Sequence, residues 1–218
     1  MSIKQAPDAL LLLASGCAHC PAVLQGLSDL LKQGKIGRLE AVNVAEHPEV
    51  ARRLGTRSVP WTRIGRFELE GVLTPGELEH WCELAGGDAG TGSYFSHLLE
   101  TQRADRVVAW LQQDPETIHD LLSLLEQPET PMAVRIGIGV VAEELQGSPL
   151  WQSALKDLLQ LAQSTDPALR ADAAHYLGLT HCNAAAKALR GMADDNHPDV
   201  REIATESLEL LQRENTDG

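Results

Sequence analysis

The chain has 218 residues, room for one large or two small domains, and its 43% hydrophobic and 22% charged content argues against a disordered polymer. Aromatics supply only 4%, so cores must be built from Leu, Val, Ile and Ala, a composition that favours helices. The formal net charge of −13 is split unevenly, −1 over residues 1–86 and −12 over the rest, which argues against nucleic-acid partners because those need clustered positive charge.

The first apolar run, "ALLLLA" at 9–14, predicts a short buried strand. Its length falls short of a signal-peptide core, and Asp8 precedes it. No stretch approaches the roughly 20 apolar residues of a membrane helix, so no membrane contact and a cytoplasmic location are expected. In that compartment structural disulfides are rare, and a CxxC pair is more often catalytic or metal-binding.

Such a pair follows at once, in "ASGCAHCPAVL" at 14–24. Val23, Leu24, Leu27, Leu30 and Leu31 then recur at helical spacing and stop near Gly34. "LEAVNV" at 39–44 predicts a second strand. "HPEVARRLG" predicts a helix opened by Pro48 and closed by Gly55. "WTRIG" and "RFELEG" predict two strands with a tight turn near Gly65. The next helix has a T-x-x-E capping box of Thr74 and Glu77, with Pro75 at its first position, and ends at Gly86 and Gly87. The order is β-α-β-α-β-β-α. The glycine-rich "GGDAGTGS" at 86–93 marks the boundary, giving a first domain at 1–86, a linker at 87–93 and a second domain at 94–218.

Beyond the linker the pattern is all-helical, with helices expected at about 94–112, 115–126, 131–146, 150–163, 167–178, 183–193 and 198–212. "DPALRADAAHYLG" from Asp166 and "HPDVREIATESLEL" from His197 repeat at an offset of 31 residues. The offset aligns Pro167 with Pro198, Arg170 with Arg201, Ala173 with Ala204 and Leu177 with Leu208. Val134 and Arg135 belong to a weaker copy. Such hairpins cannot bury their apolar faces alone and must stack. These segments resemble HEAT-like repeats, whose second helix reads D-P-x-[LV]-R-x-x-A-A-x-x-L-G. The resemblance is good over 131–212 and weak over 94–126. It implies an α-solenoid and a protein-binding role. The closing "LQRENTDG" is expected to fray as a polar tail.

A CxxC between a strand and a helix places Cys17 at the helix mouth and Cys20 one turn inside. Free backbone N–H groups and the helix dipole there favour a thiolate on Cys17. The Cys17 thiolate would attack a client disulfide, and Cys20 would then release the client from the mixed disulfide. Two other readings stay open. The cysteines are structural, or they hold zinc, which wants four ligands when only the isolated Cys82 and Cys182 and scattered histidines remain.

"SVPW" at 58–61 opens the third strand, where a proline costs a ladder hydrogen bond. With the CxxC it resembles the thioredoxin-like superfamily over about 8–86. That resemblance implies that Pro60 is cis and faces the cysteines, and that Val59 offers backbone hydrogen bonds to a substrate segment. "EGVLTPGELEHW" resembles the closing segment of thioredoxins. "CAHCPAVLQGL" is similar to glutaredoxin-like sequences and to the N-terminal domain of flavin-dependent peroxiredoxin reductases. The glutaredoxin Gly-Gly-x-x-Asp segment is missing after Val72, which argues against glutathione as direct substrate. Spacer histidines such as His19 also occur in strongly oxidising periplasmic members. Positive charge beside Cys17 would stabilise the reduced thiolate and raise the potential; the plainer reading is an exposed loop histidine.

The fold class expected is therefore an α/β thioredoxin-like domain followed by an all-α HEAT-like solenoid. The expected function is thiol–disulfide exchange on protein clients. Cys17 is the nucleophile, Cys20 resolves and His19 tunes the thiolate, while Val59, Pro60 and Trp61 contact substrate. No bound cofactor or metal is expected. The partners implied are a protein client with a disulfide or reactive thiol, recruited by the repeats, and a reductase as electron donor. The alternative is a binding scaffold with a vestigial thioredoxin-like domain. Trp61 reads equally as substrate platform or packing residue. Cys82, Cys182, Trp81, Trp110 and Trp151 read as packing residues, and Arg135, Arg170 and Arg201 as partners of acidic neighbours along the solenoid.

Overall fold

The computed structural model describes the backbone of residues 6–87 and 90–214, with side chains through Leu211. The chain divides into two compact units, Met1–Gly90 and Thr91–Gly218.

The first unit is a mixed α/β layer. Strand β1 (Asp8–Leu13) pairs in parallel with β2 (Arg38–Asn43) and antiparallel with β3 (Trp61–Ile64), and β3 pairs antiparallel with β4 (Phe67–Glu70). The sheet order is β2-β1-β3-β4. β1 is buried through Ala9–Leu12, which is why it reads as a continuous apolar run. Helix α1 (Cys20–Lys32) packs against α3 (Pro75–Ala85), and a Cβ on Gly26 would lie 2.7 Å from Leu78 Cδ1. Helix α2 (Pro48–Leu54) supplies Val50, Ala51 and Leu54 to a cluster built on Leu10, Leu12 and Trp61. Gly55 closes α2 at φ 68°, the left-handed conformation that glycine adopts without a Cβ penalty. The capping box of α3 forms as expected: Glu77 N–H donates to Thr74 Oγ1, and Thr74 N–H donates to Glu77 Oε2.

The second unit is helical. It contains α4 (Gly90–Glu100), α5 (Ala104–Gln113), α6 (Ile118–Ser123), α7 (Met132–Glu144), α8 (Pro149–Ser153), α9 (Leu155–Leu161), α10 (Pro167–Gly178), α11 (Asn183–Met192) and α12 (Pro198–Glu214). Single 3-10 turns, Pro115–Thr117 and Leu124–Glu126, flank α6. A Cβ on Gly178 would lie 2.8 Å from Ser207 Cβ, so α10 and α12 pack at small-residue distance. Trp151 is fully buried, and its indole N–H donates to Tyr176 O at 3.1 Å.

Three differences from expectation have physical causes. The linker expected at 87–93 is partly helix, since α4 begins at Gly90 and buries Thr91, Tyr94 and Phe95. Residues 88 and 89 of that linker lie outside the described residues, as does the end of the polar tail from 215 onward. The helix expected at 94–112 is two helices. Gln102, at φ 59°, takes the left-handed position that usually belongs to glycine. Arg103 N–H then donates to Leu98 O and Gln102 N–H to Leu99 O, the paired bonds of a Schellman turn. The helix expected at 150–163 breaks at Ala154 into α8 and α9, where Ala154 N–H reaches back only three residues, to Trp151 O at 3.1 Å.

The repeated arginines are used inside the solenoid. Arg135 donates to Leu125 O and Gln127 O, Arg170 to Ser164 O and Thr165 O, and Arg201 to Asp195 O. Each ties down the turn that precedes its own helix. Arg135 also lies 3.8 Å from Asp172, and Arg170 holds both oxygens of Asp195 at 2.8 Å. Arg135 and Arg170 thereby link their repeats to the next.

Candidate functional site

The site grows from one end of the sheet. β1 runs out at Leu13 into the loop that carries the cysteines, and Cys17 N–H turns back to Ala14 O at 3.0 Å. Asn43, at the end of β2, donates to Ser15 Oγ at 2.9 Å and accepts Ala45 N–H at 3.0 Å, tying the loop to the neighbouring strand. The antiparallel register pairs Leu12 with Trp61, so the residues just before β3 stand at this same end.

Helix α1 starts later than the spacing predicts. Cys20 is its first residue and His19 its N-cap, so Cys17 stands ahead of the helix and Cys20 is not one turn inside it. Pro21 is the cause. A helix beginning at Cys17 would need a Pro21 N–H to donate to the Cys17 carbonyl, and proline has none. The electrostatic argument survives the shift, because Cys20 N–H donates to Cys17 Sγ at 3.1 Å. Cys17 and Cys20 are joined as a disulfide. Cys20 is 3% exposed, Cys17 is half-buried, and His19 is exposed with no side-chain capping bond.

The Val59–Pro60 peptide bond is cis. Pro60 is buried, and its carbonyl accepts Gly71 N–H at 2.9 Å; Ser58 Oγ donates to Glu70 Oε2 at 3.1 Å. Val59 is half-buried against the cluster under α2, and no hydrogen bond among the described residues uses its backbone N–H or C=O. Trp61 differs from the substrate-contact expectation. It is 0% exposed and packs between Leu10, Leu12 and α2, because alternation along β3 turns its side chain onto the α2 face. A residue that sequence reasoning passed over stands nearby: Val72, 51% exposed, follows the glycine bonded to Pro60. Its only sequence signal was an apolar residue stranded between β4 and the α3 capping box.

The two other cysteines lie elsewhere. Cys82 is buried in α3, and burial pushes its thiol up to about 11. Cys182 is the N-cap of α11, where its sulfur accepts Ala185 N–H and the Thr180 hydroxyl. Among the described residues no three His, Cys, Asp or Glu side chains are grouped to hold a metal ion, and no helix is long and apolar enough to cross a membrane.

Comparison with known families divides the chain at the same place. Residues 9–83 match the family model of a thioredoxin domain, and residues 118–209 match that of HEAT repeats. A search of curated proteins returns no match. The first match spans both cysteines and Pro60, and the second spans α6 to most of α12. The chain therefore carries an N-terminal thioredoxin-like domain followed by HEAT-like repeats.

Proposed function

We propose that the protein is a thiol–disulfide oxidoreductase acting on protein clients, with the HEAT-like repeats recruiting the partner. The observation that carries this reading is the asymmetry of the pair: Cys17 is accessible and receives the Cys20 N–H, while Cys20 is buried behind it. An N–H aimed at sulfur favours the thiolate over the thiol.

In the reducing direction the Cys17 thiolate attacks one sulfur of a client disulfide. A Cys17–client bond forms, the client S–S bond breaks, and the leaving client thiolate takes up a proton. Cys20, losing its own proton, attacks Cys17 and releases the second client thiolate. Two electrons have passed to the client and the Cys17–Cys20 disulfide is restored. A dithiol reductase or low-molecular-weight thiol supplies the next two electrons. In reverse, the disulfide accepts two electrons from a client dithiol. The unused backbone groups of Val59 are suited to pair with an extended client segment, with buried Pro60 setting its edge and Val72 giving it an apolar contact. A protonated His19 ring, exposed two residues after Cys17, would favour the reduced form.

The cytoplasm, where such pairs are kept reduced between turnovers, is the compartment this reading favours. Insulin reduction driven by dithiothreitol tests it. The wild type should accelerate precipitation and Cys17→Ser should not. His19→Ala should remain active but titrate to a lower potential against glutathione, by about 10–20 mV if the ring contributes a typical exposed charge near a helix end. A wild type no faster than the Cys17→Ser variant would leave a scaffold as the function.

A further inference from the structure

Helix α7 presents a face that the fold does not use. Its buried side is Val134, Ile138 and Val141, each 0% exposed. On the opposite side Met132, Ile136 and Val140 are 69%, 63% and 49% exposed. They stand one turn apart, so they form a continuous apolar strip about 12 Å long. Solitary exposed apolar residues are ordinary, but three in register on one helix mark a contact surface.

The exposed charges at the two ends of α7 are acidic. Glu129 is exposed just before the helix, and Glu143 and Glu144 are exposed in its last turn. None of the three forms an ion pair among the described residues. Two carboxylates in a final turn oppose the helix dipole, so they do nothing for α7 itself. The only cation of α7, Arg135, is committed to Leu125 O, Gln127 O and Asp172. A second copy of this chain would set carboxylates against carboxylates, within a region that carries −12.

We propose that the Met132–Ile136–Val140 strip is the docking surface for an amphipathic helix of a partner protein, one with apolar residues a turn apart and basic residues at both ends. This rests on the reading that the repeats recruit the partner of the redox domain. The apolar residues of the partner cover the strip, and its basic ends meet Glu129 on one side and Glu143 and Glu144 on the other. Charge would set orientation and association rate, and apolar burial the lifetime.

The probe is a synthetic fluorescein-labelled helix with Leu residues one turn apart and Lys at both ends. Its controls are a scrambled peptide of the same composition and a version with Glu for Lys. Anisotropy titration of the full-length protein should show the matched peptide binding at least about tenfold more tightly than either control. Ile136→Ser with Val140→Ser should remove that advantage. Glu143→Lys with Glu144→Lys, which leaves the strip intact, should weaken the Lys peptide and favour the Glu peptide. Equal binding of matched and scrambled peptides, or unchanged binding by the Ser variant, overturns the proposal. So does a wild-type dimer in sedimentation velocity that the Ser variant dissociates, since the strip would then belong to a second copy. Insulin reduction does not use the strip, so loss of peptide selectivity with activity intact refutes the docking surface alone.

Discussion

Cys17, Cys20 and Cys82 are the same residue type in three electrostatic settings. Cys17 receives a backbone N–H, Cys20 is covered, and Cys82 is buried in α3, where burial and then the carboxylates of Glu79 and Glu83 disfavour its charge. The thiolate is the reacting form, so reactivity should follow this order of settings. After reduction, iodoacetamide at neutral pH should label Cys17 at least roughly a hundredfold faster than Cys82. Peptide mass spectrometry over time checks this, and a Cys82 that labels as fast as Cys17 would mean that its helix opens. The CxxC and Pro60 were legible because each breaks a local rule: two thiols three residues apart, and a proline where a strand begins. The burial of Trp61 was not legible, since it depends on which sheet face the residue after the proline takes, and register decides that.

Among the elements, helix starts were read well where a side chain announces them. Asp166 caps α10 by accepting Ala168 N–H at 2.9 Å, and Pro167 opens that helix as expected. The ends were read less well. Gln102 carries no sequence signature of a left-handed stop, so the break between α4 and α5 was invisible. The CxxC spacing alone places the start of α1 at Cys17, whereas Pro21, which lacks an N–H, moves it to Cys20. The repeat arginines, by contrast, were visible as a pattern, and their partners explain it. Asp195 accepts two bonds from Arg170 and one from His197 N–H, which hold its carboxyl down at about 2. An aspartate held below its unfolded value of about 3.8 stabilises the folded state above that value and ceases to do so as pH falls toward 2. Asp195→Asn should therefore lower Tm by a few degrees at pH 7, with the gap to wild type closing between pH 4 and pH 2. Paired thermal melts across that range check it, and a gap that persists at pH 2 would assign the loss to packing instead.

At the scale of the whole molecule, the division of labour follows the division of composition. The first unit is nearly neutral and holds the thiol pair; the second is strongly acidic, helical and carries the α7 strip. The two-part architecture was legible from the glycine-rich boundary and from the 31-residue repeat, because both are long-range patterns that single substitutions do not erase. The strip was not, because apolar residues on α7 read equally as core until neighbouring helices show which side they bury. The central claim is that Cys17 exchanges disulfides with a protein client and Cys20 releases it. The most direct measurement is trapping with Cys20→Ser, followed by non-reducing electrophoresis and mass spectrometry of the cross-linked peptide. A thiol-sensitive adduct joined through Cys17, and lost in Cys17→Ser/Cys20→Ser, is the result expected. An adduct that persists without Cys17, or none from a folded Cys20→Ser protein, would contradict it.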